Sequence, residues 1–113
     1  MSAWTAVCRL EDIPRLGART VETSIGRVAV FRTREDEVFA LEDRCPHRGG
    51  PLSQGIVHGR RVTCPLHEWV IELETGTAVA PDEGCVLAVP ARVDDGRVAL
   101  DLRSAESRRP AAE

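Results

Sequence analysis

The sequence predicts an all-β domain: a sandwich or barrel of short antiparallel strands, with a subdomain that carries two ligand-bearing loops. Short runs rich in Val, Ile and Thr alternate with Gly, Pro and Asp turn signals at close spacing. No stretch sustains the 3.6-residue period of an amphipathic helix. Two similar turns, Cys45-Pro-His47 and Cys64-Pro-Leu-His67, are separated by 16 residues, so the loops that bear them belong to one structural unit.

The elements follow in order. Residues 4–10 read as a first strand, and 11–17, with Pro14 and Gly17, as a turn or a single helical turn. Residues 20–25 and 27–33 form a hairpin about Gly26, and a strand over 38–41 follows the charged turn 34–37. The first loop spans about 42–54. Strands 56–58 and 61–63 bracket Gly59 as a second hairpin, which would bring the two loops side by side. Residues 69–73 lead into the turn Glu74-Thr75-Gly76. The chain returns through 86–89 and 91–93, and Asp94-Asp95-Gly96 turns it into a last strand over 97–102. The Asp-Gly step is the strongest hairpin signal present. Residues 1–102 are expected to form a single domain, with loops over about 42–69. Residues 103–113 lack an apolar pattern and are expected to be a disordered tail.

Length and composition narrow the function classes. A chain of 113 residues builds about one domain, and 42% hydrophobic with 29% charged residues is ordinary for a globular protein. The net charge of −3, with no basic block, argues against a nucleic-acid partner. No run reaches the roughly 18 apolar residues of a membrane helix, and Met1-Ser2-Ala3-Trp4-Thr5 is unlike a secretory leader, so the expectation is a cytoplasmic chain off the membrane. Cys8 and Cys85 sit in apolar stretches and read as small buried hydrophobes. His58 has no neighbouring Cys and reads as a turn residue.

The paired turns carry the chemistry. Each offers one thiolate and one imidazole, so Cys45, His47, Cys64 and His67 make a set of two sulfur and two nitrogen donors. A Rieske [2Fe–2S] centre needs that inventory, because two Cys hold one iron and two His the other. A structural zinc site uses the same donor types, although its pairs are usually spaced C-x2-4-C and H-x3-5-H. Glycines such as Gly49 and Gly50 allow backbone N–H groups to approach the cluster sulfurs.

The chain resembles Rieske-type ferredoxin domains over nearly its whole length. More narrowly, it is similar to the Rieske-type small subunit of assimilatory NAD(P)H nitrite reductase. The narrower likeness rests on Cys45-Pro-His-Arg-Gly-Gly-Pro-Leu-Ser-Gln-Gly-Ile-Val, Val62-Thr-Cys-Pro-Leu-His-Glu-Trp-Val-Ile, Leu73-Glu-Thr-Gly, Asp82-Glu-Gly-Cys and Asp95-Gly-Arg-Val. It implies a Rieske-type β fold and one [2Fe–2S] cluster on Cys45, His47, Cys64 and His67. It also implies a large-subunit partner with flavin, sirohaem and a [4Fe–4S] centre, the pair reducing nitrite to ammonia. No catalytic residue is expected on this chain, which would be an electron carrier within an oxidoreductase. Two other readings stand beside this one: a free-standing Rieske ferredoxin serving an aromatic-ring dioxygenase, and a zinc-stabilised binding module without redox chemistry.

High-potential Rieske proteins carry a loop-to-loop disulfide and hydroxyl donors after the last His. The corresponding positions here hold Gly50 and Leu66, and Trp69 and Ile71. The resemblance therefore implies a potential in the lower part of the roughly −150 to +300 mV range. Trp69 and Leu66 are expected to wall off one side of the cluster. Arg44, Arg48, Arg60 and Arg61, opposed by Glu42 and Asp43, are expected to form a basic rim that docks an acidic partner.

Overall fold

Turn chemistry cuts the chain into short antiparallel strands, which the computed structural model describes over residues 4–45, 50–66, 68–80 and 82–108. In chain order they are β1 (Trp4–Arg9), β2 (Gly17–Thr23), β3 (Gly26–Arg32), β4 (Val38–Glu42), β5 (Ile56–His58) and β6 (Arg61–Thr63). After these come β7 (Val70–Glu72), β8 (Ala88–Val89), β9 (Ala91–Asp94), β10 (Arg97–Asp101) and the helix α1 (Leu102–Arg108). Short 3-10 turns lie at Leu10–Asp12 and Leu52–Gln54. The all-β expectation holds.

The strands form three antiparallel sheets, ordered β1-β10-β9, β2-β3-β4-β8 and β5-β6-β7. Strand β3 explains how they stack. Its run Val28-Ala29-Val30-Phe31 is fully buried, which requires cover on both faces. Alternation sends Val28 and Val30 into a core shared with Val98 and Leu100. It sends Ala29 and Phe31 into a second core with Val62, Ile71, Cys45 and Cys64. The β2-β3-β4-β8 sheet is thus the middle layer, with the two smaller sheets on opposite faces. Each fully buried Val or Phe side chain contributes about 1.5–3 kcal/mol.

The turns fix the registers. Asp95 (φ 52°) and Gly96 (φ 75°) both occupy the left-handed region, as a two-residue hairpin loop requires, and they pair Asp94 with Arg97. The hairpin expected about Gly26 exists, but its turn is residues 24–25, and Gly26 already pairs with Thr23.

Three expectations change. The return strand expected over 86–89 is only Ala88–Val89, because the preceding residues bond elsewhere. Val86 N–H donates to Gly76 O, while Leu87 exchanges hydrogen bonds with the Glu42 backbone and carboxylate. The tail expected over 103–113 begins as α1. The buried Asp101 carboxylate accepts the Ser104 N–H at 3.0 Å as an N-cap, and Ala105 is fully buried in the core of Val28, Val30, Val98 and Leu100. Cys85 is exposed rather than buried, since alternation turns it away from buried Val86. Cys8 is partly buried, and that burial pushes its thiol pKa up, with Arg19 opposing the shift.

Glycine substitutions separate backbone conformation from packing. Gly96 has open space about it, so Gly96→Ala is expected to cost about 1 kcal/mol, for the left-handed backbone alone. A Cβ at Gly76 (φ 77°) would stand 2.3 Å from Val86 O, so Gly76→Ala adds about 1–3 kcal/mol of overpacking. Urea unfolding of the two variants measures the difference; equal costs would refute it.

Candidate metal centre

The β5–β6 hairpin sets the site. Ile56 pairs with Thr63, so the segment entering β5 and the segment leaving β6 emerge together at one end of the small sheet. Each of these segments holds a turn closed in the same way. Cys45 N–H donates to Gly50 O at 2.7 Å, and Cys64 N–H donates to Trp69 O at 2.7 Å. Both hydrogen bonds link a Cys to the fifth residue after it, so the two turns are of equal length. Glu68 takes a left-handed backbone (φ 57°) to complete the second turn.

The turns bring two thiols into one apolar environment. Cys45 and Cys64 are each 1% exposed and join the core of Leu52, Val57, Val62 and Ile71. Trp69 packs against that core from the rim. The four cysteines form no disulfide with one another. Between the turns the fit is tight. A Cβ placed on Gly50 would lie 2.7 Å from Leu66 Cδ1, 2.9 Å from Leu66 Cγ and 3.4 Å from Cys64 Sγ. Leu66 of the second turn therefore rests on the backbone of the first, while its other side is solvent-exposed. A crevice lined by Gly55, Ile56, Cys64 and Pro65 opens beside it.

His47 and His67 lie outside the described residues, as does Arg48. Among the described residues no three metal-binding side chains converge. The two thiols are the sulfur half of the donor set expected from the sequence, in which each expected imidazole follows its Cys by two or three positions. Two buried sulfurs on facing turns fit an iron–sulfur cluster.

Two of the four arginines expected on a docking rim are engaged in ion pairs. Arg60 pairs with Glu37, lies 3.9 Å from Glu74 and sits over the Phe39 ring. That guanidinium holds the Glu37 carboxyl below its ordinary pKa. Arg61 pairs with Glu72 at 3.0 Å across the β6–β7 ladder. Of the expected rim, Arg44 is exposed, and among the described residues no ion pair engages it. His58 ends β5 rather than forming a turn, with Nε2 2.7 Å from Thr63 Oγ1.

One structural tie was not evident from sequence. Asp43 accepts the Ser53 N–H and the Ser53 hydroxyl, both at 2.8 Å, and so clasps the base of the first loop. Asp43→Ala is expected to cost about 1.5–3 kcal/mol by leaving the Ser53 amide without its charged acceptor. Ser53→Ala, which removes only the hydroxyl, is expected to cost about 1 kcal/mol. Denaturant unfolding of both variants checks the order; a neutral Asp43→Ala would refute the clasp.

Comparison with known proteins gives the same picture. The family model for the Rieske [2Fe-2S] domain matches residues 3–91. The anthranilate 1,2-dioxygenase ferredoxin subunit of Burkholderia cepacia is 41% identical over 76 residues, 66% of this chain and 69% of that protein. The 3-phenylpropionate/cinnamic acid dioxygenase ferredoxin subunit of Photorhabdus laumondii is 36% identical over 98 residues, covering 85% and 91% of the two chains. Among solved structures, a candidate NADH-dependent nitrite reductase small subunit from Mycobacterium tuberculosis superposes with a TM-score of 0.80 at 27% identity, covering 88% of this chain and 95% of that one. No described helix is long and apolar enough to cross a membrane. With two facing Cys turns on a three-layered β scaffold, the chain belongs to the Rieske [2Fe-2S] domain family, as an electron-transfer protein of ferredoxin type that carries a Rieske [2Fe–2S] cluster.

Proposed function

We propose that Cys45, His47, Cys64 and His67 hold the cluster, and that the chain delivers single electrons to the oxygenase component of an aromatic-ring dioxygenase system. When bound, the cluster supplies one-electron uptake and release. Cys45 and Cys64 would hold one iron from the buried side, with the closed turns fixing their Sγ atoms. His47 and His67 would hold the other iron. The apolar core behind the thiols keeps water from the sulfur side.

The observation that carries the partner reading is the likeness in sequence to dioxygenase ferredoxin subunits, at 41% and 36% identity. A second reading, small subunit of an NAD(P)H nitrite reductase whose large subunit holds flavin, sirohaem and a [4Fe–4S] centre, is favoured by the structural likeness at TM-score 0.80. In either role the chain passes electrons to a larger redox enzyme.

The ligand proposal predicts that Cys45→Ser and Cys64→Ser lose the visible absorbance of the cluster, while Cys8→Ala and Cys85→Ala keep it. A Cys45→Ser protein with an unchanged spectrum would remove Cys45 from the set. The partner proposal is tested by mixing the reduced protein with an oxygenase component or with a sirohaem nitrite reductase and following its reoxidation. Fast reoxidation by the oxygenase alone is expected; turnover of nitrite instead selects the second reading. Arg44→Glu is the cleaner charge probe, because Arg60→Glu would also lose the pair with Glu37. If exposed charge guides the encounter, Arg44→Glu slows reoxidation at low salt. The loss should fade at 0.1 M salt and above, where screening acts within about 10 Å.

A further inference from the structure

Leu66 is an exposed apolar residue on a turn that has to hold a buried thiol in place. The residue is 55% exposed, yet its Cδ1 and Cγ reach the position that a side chain on Gly50 would fill. Gly50 is itself buried and closes the first turn by accepting the Cys45 N–H. The same point in space lies 3.4 Å from Cys64 Sγ. One leucine thus touches the backbone that closes the first turn while standing beside the sulfur of the second.

We propose that Leu66 is a positioning residue that latches the two ligand turns together through Gly50 and shields Cys64 Sγ from solvent. This rests on the ligand reading above. Only glycine at position 50 leaves room for the latch, since a methyl there would meet Leu66 at 2.7 Å. The latch is apolar and non-covalent, so it holds the turns without oxidising a thiol. It slows cluster loss in two ways: it opposes separation of the turns, and it denies water and chelators a path to the sulfur. Removing it lets water donate hydrogen bonds near Cys64 Sγ, which favours the more negative reduced state and moves the potential upward.

The test uses the loaded protein and two readouts besides activity: the bleaching rate of visible absorbance under an iron chelator, and the midpoint potential. Leu66→Ala is expected to bleach about tenfold faster than wild type, the scale of the apolar contact removed, with a more positive potential. Leu66→Met, which keeps the apolar reach, should stay within about twofold of wild type. Gly50→Ala should bleach faster because its methyl displaces Leu66. The Gly50→Ala/Leu66→Ala double variant should bleach at least about threefold more slowly than the product of the single effects predicts, as contacting residues couple. The inference is overturned if Leu66→Ala bleaches within twofold of wild type at an unshifted potential. It is overturned equally if Leu66→Met bleaches as fast as Leu66→Ala, or if the single effects simply multiply. Wild-type protein without iron would overturn the ligand reading and this inference with it. A loaded wild type with an indifferent Leu66→Ala overturns the inference alone.

Discussion

The pairing of Ile56 with Thr63 is the constraint from which the site follows. An antiparallel hairpin places the residues before its first strand beside the residues after its second, whatever their sequences. Both Cys turns are attached at that open end, so sequence-distant thiols become neighbours. Gly55 tightens the junction, since a Cβ there would meet Thr63 O at 2.3 Å. Each turn then closes on itself through a Cys N–H, and Asp43 ties the first one down at Ser53.

The scaffold behind the hairpin supplies rigidity. Strand β3 is buried on both faces, so the core that contains Cys45 and Cys64 is one side of a layer whose other side packs against β1, β9 and β10. Charged side chains add local ties. Arg32 bridges the Asp36 carboxylate and the Ile13 carbonyl, at 2.9 Å each, and that hydrogen bond is the main reason the Asp36 carboxyl stays below its ordinary pKa. Arg60 ties the small sheet to Glu37, and Arg61 pairs with Glu72 within it. Ile56, which lines the crevice at Cys64, and Leu66 are exposed apolar residues beside the site.

The strands were legible where turn chemistry was local, as at Asp95-Gly96 and Gly59, and where β3 showed an unbroken apolar run. The helix α1 was not, because one buried Ala105 and a capping Asp101 anchor a seven-residue segment too short to show a period. Residues 86 and 87 looked like strand but were committed to Gly76 and Glu42, partners distant in sequence. At the site, the sequence pointed to the cysteines because their spacing with His is unusual. The Asp43–Ser53 clasp and the Leu66–Gly50 contact left no such mark. Each joins ordinary residue types, and only the folded geometry shows which oxygen or methyl is near. The ion pairs of Arg60 and Arg61 were hidden for the same reason, since their acidic partners Glu37 and Glu72 lie 23 and 11 residues away.

Mixed ligation of the cluster, with His47 and His67 proposed on one iron, is what every electron-transfer role above rests on. The most direct measurement is pulsed electron paramagnetic resonance of the reduced protein labelled with 15N in its histidine rings. Two strongly coupled histidine nitrogens are predicted, with one of them lost in His47→Cys if that variant retains a cluster. A reduced cluster without histidine nitrogen coupling would exclude His47 and His67 as its ligands.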